Sequence, residues 1–361
     1  MRNFLVSVLP TQPSLDGRFD QVTPITATGG GGQFSAVFKA RHVATDAPVA
    51  LKFLIPNVDS YRAEAFKREG QLLNTTLRDE PLFVQLVEAP GTLRLPFISG
   101  LPGASATVTF EFPYLAFRWQ PKGDISTLAL PTKGYLDLIQ RLTVFGNMCR
   151  CVSRLHYLGC VHRDLKPPNF FLGSDNAVRL GDFGTTRLIG PKSVPLLANY
   201  TGPVGDVRYT APEELAGIPL PPDVISVADI YSLGAILFEL LTGHSLAAHA
   251  YGPINNIWAF AQYLRAVPDA QRRAVYEGYI VSRGHGMPDL RTINPAVPKC
   301  AAPFLTPLLQ QLGHFDYRQR ARNLVSAHRL IASAIIVLRH EARARRIVCD
   351  NPSLRQRDEY V

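Results

Sequence analysis

The run His162-Arg163-Asp164-Leu165-Lys166-Pro167-Pro168-Asn169, with Asp182-Phe183-Gly184 beginning thirteen positions after Asn169, constrains this chain more than any other feature. Pro167 and Pro168 lie between Asp164 and Asn169 and deny the intervening backbone a helix. The segment therefore predicts a stiff loop presenting both side chains to one place. With Asp182 added, that place has a carboxylate able to take a proton (Asp164), a cation (Lys166) and two oxygen ligands for a divalent metal (Asn169 and Asp182). These are the parts that phosphoryl transfer requires.

In this order the residues resemble the catalytic loop and metal-binding motif of Hanks-type (eukaryotic-like) serine/threonine protein kinases. The resemblance implies an α+β, bilobal protein-kinase-like fold, with a small antiparallel-sheet lobe carrying one main helix and a larger, mostly helical lobe. Further motifs follow the family order. Gly29-Gly30-Gly31-Gly32-Gln33-Phe34-Ser35-Ala36-Val37 is similar to the loop that covers ATP phosphates, with Gly30, Gly32 and Val37 in nucleotide-binding places and Ser35 where a third glycine is usual. By itself such a glycine run reads more readily as a flexible loop than as a phosphate-binding one. Val49-Ala50-Leu51-Lys52 resembles the strand on which Lys52 pairs the α- and β-phosphates and Ala50 leaves room for adenine. Apolar residues at helical spacing over 63–73 resemble the regulatory helix; Glu69 is the expected partner of Lys52, with Glu64 as the alternative.

Between this helix and the second lobe, strand-like runs cover 83–87 and 106–112, and an extra hairpin is expected over 93–103. The hinge is expected at 116–119, with Gly123-Asp124 starting the descent into the helical lobe.

Ala211-Pro212-Glu213 closes a segment opened by Asp182 that contains Thr185, Thr186, Ser193, Tyr200 and Thr201. By resemblance this is the activation segment, and Arg163 stands where a guanidinium would receive its phosphate, with Thr201 or a neighbour as the expected acceptor. Lys166 is typical of serine/threonine rather than tyrosine specificity. Asp206 departs from the threonine usual in that class, and an acid there could pair with Lys166 or repel Asp164. The run from Asp223 to Gly234 leads into an apolar helix through Leu241; by resemblance Asp229 is expected to bond the catalytic-loop backbone, and Arg320 to pair with Glu213.

Length supports two lobes with substantial cores: residues 1–20 as a lead-in, 21–119 as the nucleotide-binding lobe, 120–338 as the catalytic and substrate-binding lobe, and 339–361 as a basic tail. Five cysteines without Cys-x-x-Cys pairing argue against a zinc module or a disulfide framework and fit a reducing cytoplasm. No apolar stretch is long enough to span a bilayer. The chain has a net charge of +9, and its tail carries Arg339, Arg343, Arg345, Arg346, Arg355 and Arg357, mixed with Glu341, Asp350, Asp358 and Glu359. A solvated helix end is the favoured reading, an acidic partner the alternative, and nucleic acid is not expected.

The implied function is transfer of the ATP γ-phosphate to Ser/Thr hydroxyls of protein substrates, using ATP and Mg²⁺, with Mn²⁺ as a substitute. Asp164 and Lys166 are catalytic; Asn169 and Asp182 hold the metal. A pseudokinase scaffold is the alternative reading, and a small-molecule phosphotransferase is disfavoured by the Ala-Pro-Glu segment.

Overall fold

The computed structural model describes residues 1–25, 34–56, 58–101, 104–128, 133–189, 204–282 and 289–345. Gly30, Gly32 and Thr201 lie outside the described residues, as do Arg346, Arg355 and Arg357 of the tail.

The chain starts with helix α1 (Arg2–Val8), then β1 (Phe19–Pro24), β2 (Ser35–His42), β3 (Ala47–Leu54), α2 (Ser60–Asn74), β4 (Gly91–Leu101) and β5 (Ala104–Arg118). The five strands form one antiparallel sheet in the order β1-β2-β3-β5-β4. Strand periodicity divides β3 cleanly. Val49, Leu51 and Phe53 are buried against Phe38, Phe112 and Tyr114, whereas Ala50, Lys52 and Leu54 point to the opposite face. Register places Val37 opposite Lys52, so the expected nucleotide-facing positions share that second face.

Helix α2 is started by Asp59, whose carboxylate accepts the backbone N–H of Arg62 at 2.9 Å. Its buried positions Phe66, Glu69, Gly70 and Leu73 follow helical spacing, which turns Glu69 inward. Gly70 permits the close approach: a Cβ there would lie 2.9 Å from Pro90 and 3.0 Å from Leu115.

Two expectations for this lobe change. The run 83–87 forms no continuous strand, because its backbone is divided between two partners. Val84 donates to Leu180 O, while Val87 donates to Ala116 O and Gln85 O accepts from Arg118. The run at 106–112 lies within the longer β5, whose pairing with β4 makes the hairpin expected over 93–103. In addition, the first residues are packed rather than free: Leu5 and Leu9 are fully buried in the small-lobe core, and Arg2 donates to Ser35 O at 2.6 Å.

The second lobe comprises α3 (Tyr135–Tyr157), β6 (Cys160–Val161), β7 (Phe170–Leu172), β8 (Val178–Leu180), β9 (Arg187–Leu188), α4 (Pro212–Leu215), α5 (Val227–Thr242), α6 (Leu246–Tyr251), α7 (Ile254–Ala266), α8 (Asp269–Ser282), α9 (Leu290–Ile293), α10 (Ala302–Gly313) and α11 (Val325–Ala344). As its apolar sequence requires, α5 is buried almost all round, and it stops at Gly243 in the left-handed conformation. Among the described residues no helix is long and apolar enough to cross a membrane. Helix α11 runs to Ala344; beyond it Arg345 pairs with Glu341 and lies over the Tyr135 ring, so this arginine is used within the chain.

Candidate active site

The catalytic-loop sequence forms the tight loop its prolines predict. Asn169 Nδ2 donates to the backbone carbonyl of Asp164 at 2.7 Å, closing the loop, and Lys166 Nζ donates to Asp164 Oδ2 at 2.8 Å. His162 ties the loop to the strand before Asp182. Asp164 donates its N–H to His162 Nδ1 at 3.3 Å, and His162 Nε2 lies 3.1 Å from Gly181 O, so this network requires the tautomer protonated at Nε2. Arg163 and Asp182 both have positive φ, +69° and +62°. Such geometry costs a non-glycine residue about 1–3 kcal/mol and persists only where surrounding contacts impose it.

Asp229 supplies those contacts at Arg163. Fully buried at the start of α5, it accepts the N–H groups of His162 at 2.8 Å and Arg163 at 2.9 Å. A third partner, His156 Nε2 at 2.9 Å, was not legible in the sequence. Burial works against ionisation of Asp229, but the imidazole of His156 and the loop N–H groups outweigh it and hold the carboxyl below its ordinary value.

Across the cleft, Lys52 Nζ lies 2.7 Å from Glu69 Oε2 and 2.9 Å from Asp182 Oδ1. Burial works to lower the pKa of Lys52; the flanking carboxylates of Asp182 and Glu69 outweigh it and raise the ammonium pKa. Asp182 is drawn down to about 2, since Lys52 overcomes the opposing burial. Glu69 moves upward because its burial dominates, with Lys52 opposing. Glu64 is not part of this cluster; the inward face of α2 selects Glu69.

Asp164 is raised by burial, partly offset by Lys166, with the charge of Asp182 adding to the rise. Asp206 forms no ion pair with Lys166, although its charge adds to the rise of that ammonium. Its carboxylate is held by Arg208 at 2.7 and 3.1 Å, which keeps its pKa down against burial, and only its backbone N–H reaches Asp164.

The end of the activation segment is anchored by two consecutive glutamates. Glu213 receives Arg320 through two parallel bonds of 2.6 and 2.8 Å, with both side chains fully buried. Glu214 accepts Arg163 Nε at 3.0 Å, a contact the sequence reading missed although the doubled glutamate is visible in it.

Lys52, Glu69, Asp164, Lys166 and Asp182 line one cavity of about 690 Å³ that continues past Val204 and Val207 to Ile254 and Trp258 of α7. These last two are exposed apolar side chains one helical turn apart. Among the described residues no group of three His, Cys, Asp or Glu side chains is arranged to hold a metal by itself. Asp182 lines the cavity with a side chain 42% exposed, while Asn169 is largely buried, its amide closing the catalytic loop, and does not itself line the cavity. Such a set suits a hard cation that takes its remaining oxygens from phosphates and water.

A family model described as protein kinase domain matches residues 26–320. The chain is 29% identical over 279 residues to the serine/threonine-protein kinase PknK of Mycobacterium bovis, covering 76% of this chain and 22% of that protein. It is 27% identical to PknB of Mycobacterium leprae over 65% of this chain and 34% of that one, and 28% identical to the serine/threonine-protein kinase pkn2 of Myxococcus xanthus over 65% and 25%. The chain thus spans about a fifth to a third of the length of these relatives.

Proposed function

The chain belongs to the protein kinase domain family, and from that premise we propose that it transfers the γ-phosphoryl group of ATP to serine or threonine hydroxyls of protein substrates. The observation that carries the reading is the common cavity of Asp164, Lys166, Asp182 and the Lys52–Glu69 pair.

In this reading Asp164 orients the acceptor hydroxyl and takes its proton. Burial raises the pKa of Asp164, which favours a base over a mere counter-charge. Lys166 offsets charge at the transferring group, and Lys52, held by Glu69, grips the nucleotide phosphates. Val37 and Ala50 share the sheet face of Lys52, where Ala50 leaves room for the adenine, and Gly30 and Gly32 belong by resemblance to the loop that covers the phosphates. Asn169 and Asp182 would hold Mg²⁺, or Mn²⁺ in its place. The metal's contribution is to neutralise phosphate charge.

Regulation is assigned to the activation segment, with phosphate at Thr201 or a neighbour as the modulating input near Arg163. A cytoplasmic location is supported by the free, buried thiols of Cys149, Cys151 and Cys160. For the tail, an acidic partner is the remaining proposal, resting on the arginines beyond residue 345.

The test is a radiolabelled ATP·Mg²⁺ assay of wild type and Asp164→Ala with a generic protein acceptor and phosphoamino-acid analysis. Label on serine or threonine that disappears in the variant is the expected result. ATP binding without label in the wild type would favour a pseudokinase scaffold.

A further inference from the structure

We propose that Glu214 is a positioning residue: its carboxylate, acting where a phosphate would otherwise be needed, neutralises Arg163 and so holds the loop that carries Asp164. The proposal rests on the kinase reading above.

Arg163 is fixed from three directions. Its N–H is taken by Asp229, its Nε by Glu214, and its carbonyl lies against Gly205, where a Cβ would stand only 2.6 Å away. Gly205 itself has φ +83°, so glycine there satisfies both the turn and the contact. Asp164 follows directly, and its Oδ1 is held by the next residue of the same turn, Asp206, through the backbone.

The guanidinium of Arg163 and the carboxylate of Glu214 are mostly withdrawn from water, 21% and 11% exposed. A buried arginine needs a counter-charge, and losing it leaves an uncompensated cation. Here that charge belongs to the chain. Glu214 also cannot drift away, because Arg265 of α7 donates to the backbone carbonyls of Glu214 at 2.7 Å and Leu215 at 2.9 Å, while Arg320 pins the preceding Glu213. Together Arg163, Arg187, Arg265 and Glu214 line a pocket of about 220 Å³. Unmodified protein therefore has its catalytic loop already supported, and phosphate added to the activation segment modulates that support rather than creating it.

The experiment compares wild type, wild type stripped of phosphate by phosphatase and checked by mass spectrometry, Glu214→Gln and Glu214→Asp. It reads kcat, KM for ATP and amide hydrogen exchange over residues 160–166. Stripped wild type should keep kcat within about threefold of the untreated enzyme, a change too small for loss of a buried counter-charge. Glu214→Gln, which keeps an acceptor for Arg163 Nε but removes the counter-charge, should lower kcat roughly ten- to hundredfold, with KM for ATP nearly unchanged. Glu214→Asp should recover part of kcat, and exchange over 160–166 should accelerate in the Gln variant alone. Loss of transfer on stripping, or a Gln variant matching wild type in kcat and exchange, would overturn the proposal. If untreated wild type transfers no phosphate, the kinase reading fails separately, and the exchange comparison still decides the role of Glu214.

Discussion

Asp206 gives its backbone N–H to Asp164 Oδ1 at 2.9 Å while its own carboxylate turns onto Arg208. The proposed base is therefore oriented by a main-chain group that any residue except proline would supply. The acid that departs from the serine/threonine pattern is neutralised locally. Asp206→Asn, which retains a side-chain acceptor for Arg208, should change kcat by less than about threefold, in line with the small worth of an ion pair that is half open to water. Steady-state kinetics on a serine-containing acceptor decide this; a drop of two orders of magnitude would mean that the carboxylate itself serves transfer.

The buried pair of Arg320 and Glu213 should behave as a unit. Arg320→Met alone leaves a buried carboxylate unpaired and should destabilise the protein by about 3–5 kcal/mol. Combining it with Glu213→Leu removes the stranded charge and should restore a substantial part of that loss. Urea denaturation of the two single variants and the double variant measures the coupling, and additive losses would refute it.

Acid should weaken the Lys52–Asp182 contact in a defined window. The Asp182 carboxyl lies at about 2 in the folded protein against an ordinary 3.8, because Lys52 outweighs the opposing burial. Its folded value is the lower one, so its stabilising contribution is complete above about pH 4 and disappears as pH falls through about 2. The stability difference between wild type and Lys52→Met should accordingly shrink on acidification. Glu69, already raised by burial, would protonate earlier in the variant and extend the shrinkage upward in pH. A difference independent of pH between 6 and 2.5 would rule this out.

Much of the site is legible in sequence because local chemistry fixes it. Pro167 and Pro168 shape the loop, and apolar spacing turns Glu69 inward on α2. Strand alternation then places Ala50 and Lys52 on one face. What was not legible depends on chain segments meeting in space. Glu214 finds Arg163 across 51 positions and His156 finds Asp229 across 73, with no periodicity linking either pair. The segment 83–87 has strand composition yet divides its hydrogen bonds between two lobes' elements. For the same reason the N-terminal lead-in gave no sign that Leu5 and Leu9 would be fully buried.

The cavity that contains Asp164 also reaches Trp258 and Ile254 of α7, 41% and 48% exposed. Large apolar groups open to water at the mouth of a reactive site favour contact with an incoming chain, since covering such a side chain is worth about 1.5–3 kcal/mol. Neither residue lies among the groups that hold Lys52, so nucleotide binding should be indifferent to them. Trp258→Ala should therefore raise KM for a protein acceptor roughly tenfold, the equivalent of about 1.4 kcal/mol, while KM for ATP and thermal stability stay near wild type. Kinetics with acceptor and ATP varied in turn separate the two effects. An unchanged acceptor KM would place the bound chain elsewhere on the helical lobe, whereas a parallel rise in both constants would mean that α7 acts through the cleft as a whole.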